Sequence, residues 1–356
     1  MDGINNSVAL DDAVAIIAHT GDVTTTILEG EPGIGKSALR NQILALLGWG
    51  QDQMVYLDAP LLDFPDFYMP VVENGVTKNA YHDRWHLDSD KPQLYMVDEI
   101  GKMAGVTKPM ITRFLLERTV SDKPVPKGSI IFATSNLTTD GVGDSFPAHM
   151  NNRVSVMRAE KPTADEVVQF STTHGMNGTL IYFVRENPEV CASYVNLSAE
   201  EQATNKYIFN PKTNTKAFVS NRSLWFASNT LNKMEAGFLT RAQAMSHICG
   251  AIGAPATAEL WATVELADSL PTRASIYKTP TTARLPDNLA SQLLLATRLA
   301  SGLDNDNADA TTIYMSRLEA EIQAVTGRII FKSKPTIAMR SQAMREWVLT
   351  FTKEFI

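Results

Sequence analysis

The chain has 356 residues, of which 44% are apolar and 20% charged, and its formal net charge is −7. That length reads as two or three packed units with apolar residues enough for a covered sheet, and the acidic balance weighs against a general nucleic-acid binder. Cys191 and Cys249 lack CxxC spacing, which excludes a disulfide framework and a Cys-rich zinc site. In chain order, the β-rich run Val23–Leu28 leads into a glycine loop, and Ser37 to Leu47 predicts a helix with Leu39, Ile43, Leu46 and Leu47 on one side. Met54–Leu57, Leu94–Val97 and Ile130–Ala133 are short apolar runs bounded by turn residues, the pattern of parallel strands covered on both faces. Residues 1–160 therefore predict an α/β domain.

From about residue 161 the pattern becomes helical. Thr163-Ala-Asp-Glu166 has capping-box spacing, in which hydroxyl and carboxylate satisfy the first free amides of a helix. Helices are expected near 163–173, 221–236, 240–252, 256–268, 288–301, 310–325 and 336–354, with a Pro-spotted linker over Pro271–Pro286. This organisation predicts an ATPase domain over 1–160, a helical lid over 161–270 and a helical extension over 271–356. No charged-then-apolar leader opens the chain and no run nears the ~18 apolar residues of a membrane span, so a soluble, cytoplasmic protein is expected.

The glycine loop carries the strongest chemistry. Gly30, Glu31, Pro32, Gly33, Ile34, Gly35, Lys36 and Ser37, with Ala38 following, match G-x-x-x-x-G-K-[ST] between a predicted strand and a predicted helix. In that setting backbone amides face the phosphates of ATP, Lys36 reaches the β- and γ-oxygens, and the Ser37 hydroxyl holds Mg²⁺. Leu94–Glu99 is an apolar strand ending in two acids, which puts Asp98 where it can meet that Mg²⁺ and Glu99 where it can act as general base on water. Asn136 ends a third strand, where a neutral amide can orient water. Arg153 closes the α/β half and, if subunits form a ring, reaches a neighbour's nucleotide as an arginine finger. Arg222 opens a helix of the second half and is a candidate γ-phosphate contact.

Three other features carry less. His82 and His86 have i, i+4 spacing without the Glu of a metal motif, and read as part of a surface hairpin. Asp304–Asp309 resembles a calcium loop, but Asp309 stands where Gly is needed and Met315 where the closing Glu belongs, so it reads as a solvated loop. Val71–Thr77 contains Asn74-Gly75 and predicts a hairpin with a type I′ turn, either a grip on a substrate or a plain surface loop.

Together these residues resemble the AAA+ ATPases, and within them the MoxR-like branch with an insert after the second strand. Gly30–Ser37 is similar to the family's Walker A, Leu94–Glu99 to its Walker B, and Ala133–Asn136 to sensor 1. Phe146–Arg153 resembles the finger segment, Phe218–Leu224 sensor 2, and Asp63–Val72 the stretch leading into the insert. The stretch Thr119–Ser129 is short for the hairpin many relatives carry before sensor 1. The resemblance implies an ASCE-type P-loop fold and a hexameric ring that remodels or matures protein targets, often with a partner bearing a von Willebrand A domain. A DNA-directed motor or loader is the alternative, and a nucleotide-gated scaffold with little turnover a second.

Overall fold

The structure is a computed structural model that describes residues 6–103, 105–137, 153–211 and 217–352. The chain divides into two compact units, Met1–Lys161 and Pro162–Ile356. The first is built on a six-stranded sheet: β1 (Ser7–Val8), β2 (Thr26–Glu29), β3 (Met54–Asp58), β6 (Leu94–Asp98), β9 (Ile130–Ser135) and β10 (Ser155–Ala159). Its spatial order is β1-β10-β2-β9-β6-β3, and every neighbouring pair is parallel. β6 and β9 are buried along their whole length. Such strands carry apolar runs rather than alternation because both sheet faces are covered.

One face packs against α1 (Leu10–Thr20) and α2 (Leu39–Leu47), joining Ile17, Leu28, Leu39, Ile43, Met96 and Phe132 in one cluster. The other packs against α3 (Lys108–Glu117) and the aromatic set Phe67, Trp85, Tyr95 and Phe114. Trp85 is fully buried, and its indole Nε1 donates to the Asp66 carbonyl at 2.6 Å. Phe67 and Trp85 flank an antiparallel hairpin of β4 (Tyr68–Glu73) and β5 (Val76–Tyr81). Asn74 and Gly75 at its tip both have positive φ, as a type I′ turn requires. A second, much shorter hairpin joins β7 (Thr119–Val120) and β8 (Lys123–Pro124) ahead of β9.

The second unit is helical throughout its described elements. The helices α4 (Ala164–Thr173), α5 (Gly178–Glu186), α7 (Asn221–Glu235), α8 (Arg241–Ile252) and α9 (Ala254–Asp268) share one core, to which the short α6 (Ala199–Thr204) adds no buried residue. Another core joins α10 (Arg273–Lys278), α11 (Leu289–Ser301), α12 (Ala308–Met315), α13 (Ala320–Ser333), α14 (Pro335–Arg340) and α15 (Gln342–Thr352). The capping box at α4 forms as expected: Glu166 Oε2 accepts from the Thr163 amide at 2.7 Å, and Thr163 Oγ1 from the Glu166 amide at 3.3 Å.

Several expectations are corrected. Leu46 is exposed, and Leu44 takes its place on the buried side of α2. The helix expected over 310–325 is two helices, because Arg317 leaves the helical path to donate to the Pro280 and Ala283 carbonyls. The helix over 336–354 is likewise broken at Ser341, whose hydroxyl bonds Asp309. The 271–286 linker contains α10. His82 and His86 lie past the hairpin in a tight turn, where His82 caps that turn and His86 bonds Gln93. By contrast, the stretch at Asp304 is the exposed loop expected, its carboxylate accepting from the amides of Asp306 and Asn307.

Trp85→Ala is expected to destabilise the first unit by ~3–5 kcal/mol, as large-to-small changes in a packed core do. Chemical denaturation followed by tryptophan-independent circular dichroism measures it.

Candidate active site

The glycine loop runs from the end of β2 through residues 30–35 into a tight turn over Lys36–Ala38, and from there into α2. Gly35 has φ 115°, a conformation open to glycine alone among ordinary residues. Gly30 has no space for a side chain: a Cβ there would lie 2.9 Å from Ile34 Cδ1 and 3.1 Å from Ala159 Cβ. Ile34 is buried in the core beneath the loop, while Ala38 is exposed at the start of the helix. Lys36 is folded over the loop, with Nζ donating to the carbonyls of Gly30 at 2.6 Å and Glu31 at 2.8 Å and to Asn136 Oδ1 at 3.2 Å. The buried Glu31 carboxylate lies 3.8 Å from the buried ammonium of Lys161.

Asp98 ends β6, and its carboxylate is the most heavily bonded group of the site. Oδ2 accepts from Ser37 Oγ at 2.7 Å and from Tyr56 OH at 2.9 Å. Oδ1 accepts from the Glu99 amide at 3.1 Å and from the Thr134 hydroxyl. Burial alone would push the Asp98 carboxyl up; the hydrogen bonds from Thr134, Ser37, Tyr56 and the Glu99 amide outweigh it and hold the group below its ordinary value. Asp98 is thus a carboxylate at neutral pH. Asp58, level with it on β3, is shifted the other way by burial and by the charges of Glu99 and Asp98.

Glu99 follows in the left-handed region at φ 55°, and its carboxylate pairs with Lys102 Nζ at 2.9 Å. A non-glycine residue held there stores strain of order 1–3 kcal/mol, which is found where the surroundings fix the backbone. The Asp98 and Thr134 acceptors on the Glu99 amide supply that constraint. Asn136 lies just past β9, half-buried, with its amide oxygen on Lys36. Ser37, Lys36, Asp98, Glu99 and Asn136 are thus brought together at the strand tips. Arg153 is exposed two residues before β10; the rest of its segment, 146–152, lies outside the described residues. Arg222 is exposed in the first turn of α7 and belongs to the second unit.

Three contributors escaped the sequence reading. Thr134 ends up level with Asp98 because β9 pairs Ala133 with Val97, a register that follows only from strand order. Tyr56 shares a strand face with Asp58 two residues on, but the partner of that face follows only from strand order. The Lys161 contact joins residues 130 positions apart and left no signal in either neighbourhood.

β9 lies between the strand of the phosphate loop and the strand of the terminal acid. That order, with a P-loop at one tip and a hydroxyl-bonded carboxylate at the other, defines an ASCE-type α/β P-loop NTPase fold followed by a helical C-terminal part. No family model and no curated relative matches the chain. Similar solved structures include the Thermotoga maritima RuvB Holliday junction branch migration motor, at 11% identity over 77% of this chain and 75% of that one, with a TM-score of 0.37. NtrX from Brucella abortus in complex with ATP is similar at 13% identity over 96% of this chain and 67% of that one, with a TM-score of 0.36. Likeness at this level adds nothing to what strand order and site geometry define.

Thr134→Val removes one donor from a buried carboxylate while keeping the side chain's shape. It is expected to cost ~1.5–3 kcal/mol in chemical denaturation, the range for hydrogen bonds to charged groups. A stability equal to that of the parent protein would show that Asp98 does not depend on this bond.

Proposed function

We propose that this chain is a Mg²⁺-dependent ATPase of the AAA+ type, MoxR-like, that assembles as a homo-hexameric ring and remodels or matures a protein partner. The observation that carries the reading is the 2.7 Å bond between Ser37 Oγ and Asp98 Oδ2 at the mouth of the P-loop, with Glu99 next along the strand end. A hydroxyl and an ionised carboxylate are the hard oxygen donors Mg²⁺ takes from protein, with its other positions left to water and phosphate. Ser37 and Asp98 would hold the ion, which when bound neutralises phosphate charge and orients the transferred group.

The remaining work belongs to the chain's own side chains. Residues 30–35 present backbone amides to phosphate, and Lys36 exchanges its loop carbonyls for phosphate oxygens. Glu99, released from Lys102, takes a proton from the attacking water, and Asn136 orients that water. Arg153, exposed beside the sheet, is the group a neighbouring subunit's nucleotide would meet, and Arg222 is the lid's phosphate contact. The division into an ATPase domain over 1–160, a lid over 161–270 and an extension over 271–356 is part of the proposal. It follows the two larger apolar clusters of the helical unit, which a third cluster of Tyr182, Ala267 and Leu294 joins. A cytoplasmic setting and a partner with a von Willebrand A domain rest on the sequence resemblance alone. Among the described residues no helix is long and apolar enough to cross a membrane.

Glu99→Gln is expected to keep ATP binding and lower turnover about a hundredfold or more, the scale of a lost general base. Unchanged hydrolysis would remove Glu99 from that role. Arg153→Ala is expected to bind ATP normally and to lose about a thousandfold or more in turnover, with the loss shared by neighbours in mixed assemblies. Full turnover by an Arg153→Ala monomer would sink the shared-site reading. If DNA stimulates turnover in a salt-sensitive way, the DNA-directed motor replaces the protein remodeller; the net charge of −7 weighs against it.

A further inference from the structure

The Asp98 carboxylate is oriented by a residue that no motif includes. Tyr56 lies on β3 and is 44% exposed, so it contributes little to the core. Its hydroxyl nevertheless meets Asp98 Oδ2 at 2.9 Å, the same oxygen that Ser37 bonds. The guanidinium of Arg40, one turn beyond Ser37 in chain order, sits 4.6 Å over the Tyr56 ring. A cation over an aromatic face fixes the ring and polarises its hydroxyl towards donation. The result is a chain of contacts from Arg40 through Tyr56 to Asp98 and Ser37.

We propose that Tyr56 is a positioning residue for the divalent cation: its hydroxyl aims Asp98 Oδ2, and Arg40 holds the phenol in place. The proposal rests on the reading of Ser37 and Asp98 as the cation's protein ligands. A Ser37 oxygen that lends a lone pair to a cation keeps its O–H for Oδ2, so Ser37 and Tyr56 aim that oxygen together. The Thr134 hydroxyl and the Glu99 amide both act on Oδ1 and do not replace them. Hydrogen-bond partners of a metal-binding carboxylate tune its affinity for the ion, so the loss of one hydroxyl is read in the metal dependence as well as in the fold. A tyrosine serving only the fold would be read in stability alone, with the Mg²⁺ midpoint unmoved.

The test titrates Mg²⁺ into the full chain with a fluorescent ATP analogue at fixed concentration, for the parent protein, Asp98→Asn and Tyr56→Phe, with EDTA giving the metal-free affinity. Tyr56→Phe is expected to raise the Mg²⁺ concentration for half-maximal tightening about tenfold with metal-free affinity unchanged, beside a loss of stability no larger than that of Thr134→Val. An unchanged Mg²⁺ midpoint in Tyr56→Phe, while Asp98→Asn loses the response, overturns the role of Tyr56 and leaves the site reading standing. A parent protein whose nucleotide affinity ignores Mg²⁺ overturns both. Arg40→Met keeps every hydrogen bond of the site and removes the cation over the ring. It is expected to move the midpoint in the same direction by a smaller factor, and should Tyr56→Phe fail to fold, an Arg40→Met midpoint at the parent value overturns the proposal.

Discussion

The site is organised by one buried negative charge. A carboxylate taken out of water is costly unless donors surround it, and Asp98 draws its donors from separate stretches of chain. Ser37 comes from the start of the helix after the phosphate loop, Tyr56 from β3, Thr134 from β9, and the Glu99 amide from the strand's own end. These groups reach Asp98 only if the strands keep their register, with Asp58 and Asp98 paired on one side and Ala133 and Val97 on the other. Satisfaction of one charge and alignment of the strand tips are therefore the same requirement.

The residues around that charge show the same dependence at smaller scale. Glu99 occupies a left-handed conformation because its amide is held by Asp98 and Thr134, so the carboxylate that follows is aimed by its predecessor's surroundings. Lys36 folds onto the loop carbonyls and Asn136, which ties β9 to the P-loop across the sheet. Glu31 and Lys161 form a pair buried on both sides, fixing the loop to the last residue of the first unit. Breaking one partner of such a pair leaves a bare buried charge, which is why both ends of the loop are held more firmly than its glycine content suggests.

Much of this was legible in the sequence. The phosphate loop, the acid-ended strand and the third strand to Asn136 are local patterns, written in consecutive residues, and the folded chain brings them together. The helical second half was also legible, because capping spacing and 3.6-residue periodicity are local. The misses share a cause. α5 is buried all round and rich in Leu, Ile, Tyr, Phe and Val, a run whose periodicity cannot separate a helix from a strand. The break before α13 depends on Arg317 bonding carbonyls more than thirty residues away, and Tyr56 and Lys161 act through partners equally remote. What requires strand order or long-range contact leaves no mark on its own neighbourhood.

The hairpin of β4 and β5 separates two properties of a protein surface that are commonly entangled. Its base is fixed on either side by Phe67 and Trp85 in the aromatic core, while Val72 and Val76 near its tip stay in solvent. Substitutions at the tip thus leave the core untouched, provided Asn74 and Gly75 keep the turn. That segment can diverge among descendants of this chain at almost no cost in folding, whereas Phe67 and Trp85 cannot. The tip is free to be rewritten without the core of the first unit being rebuilt.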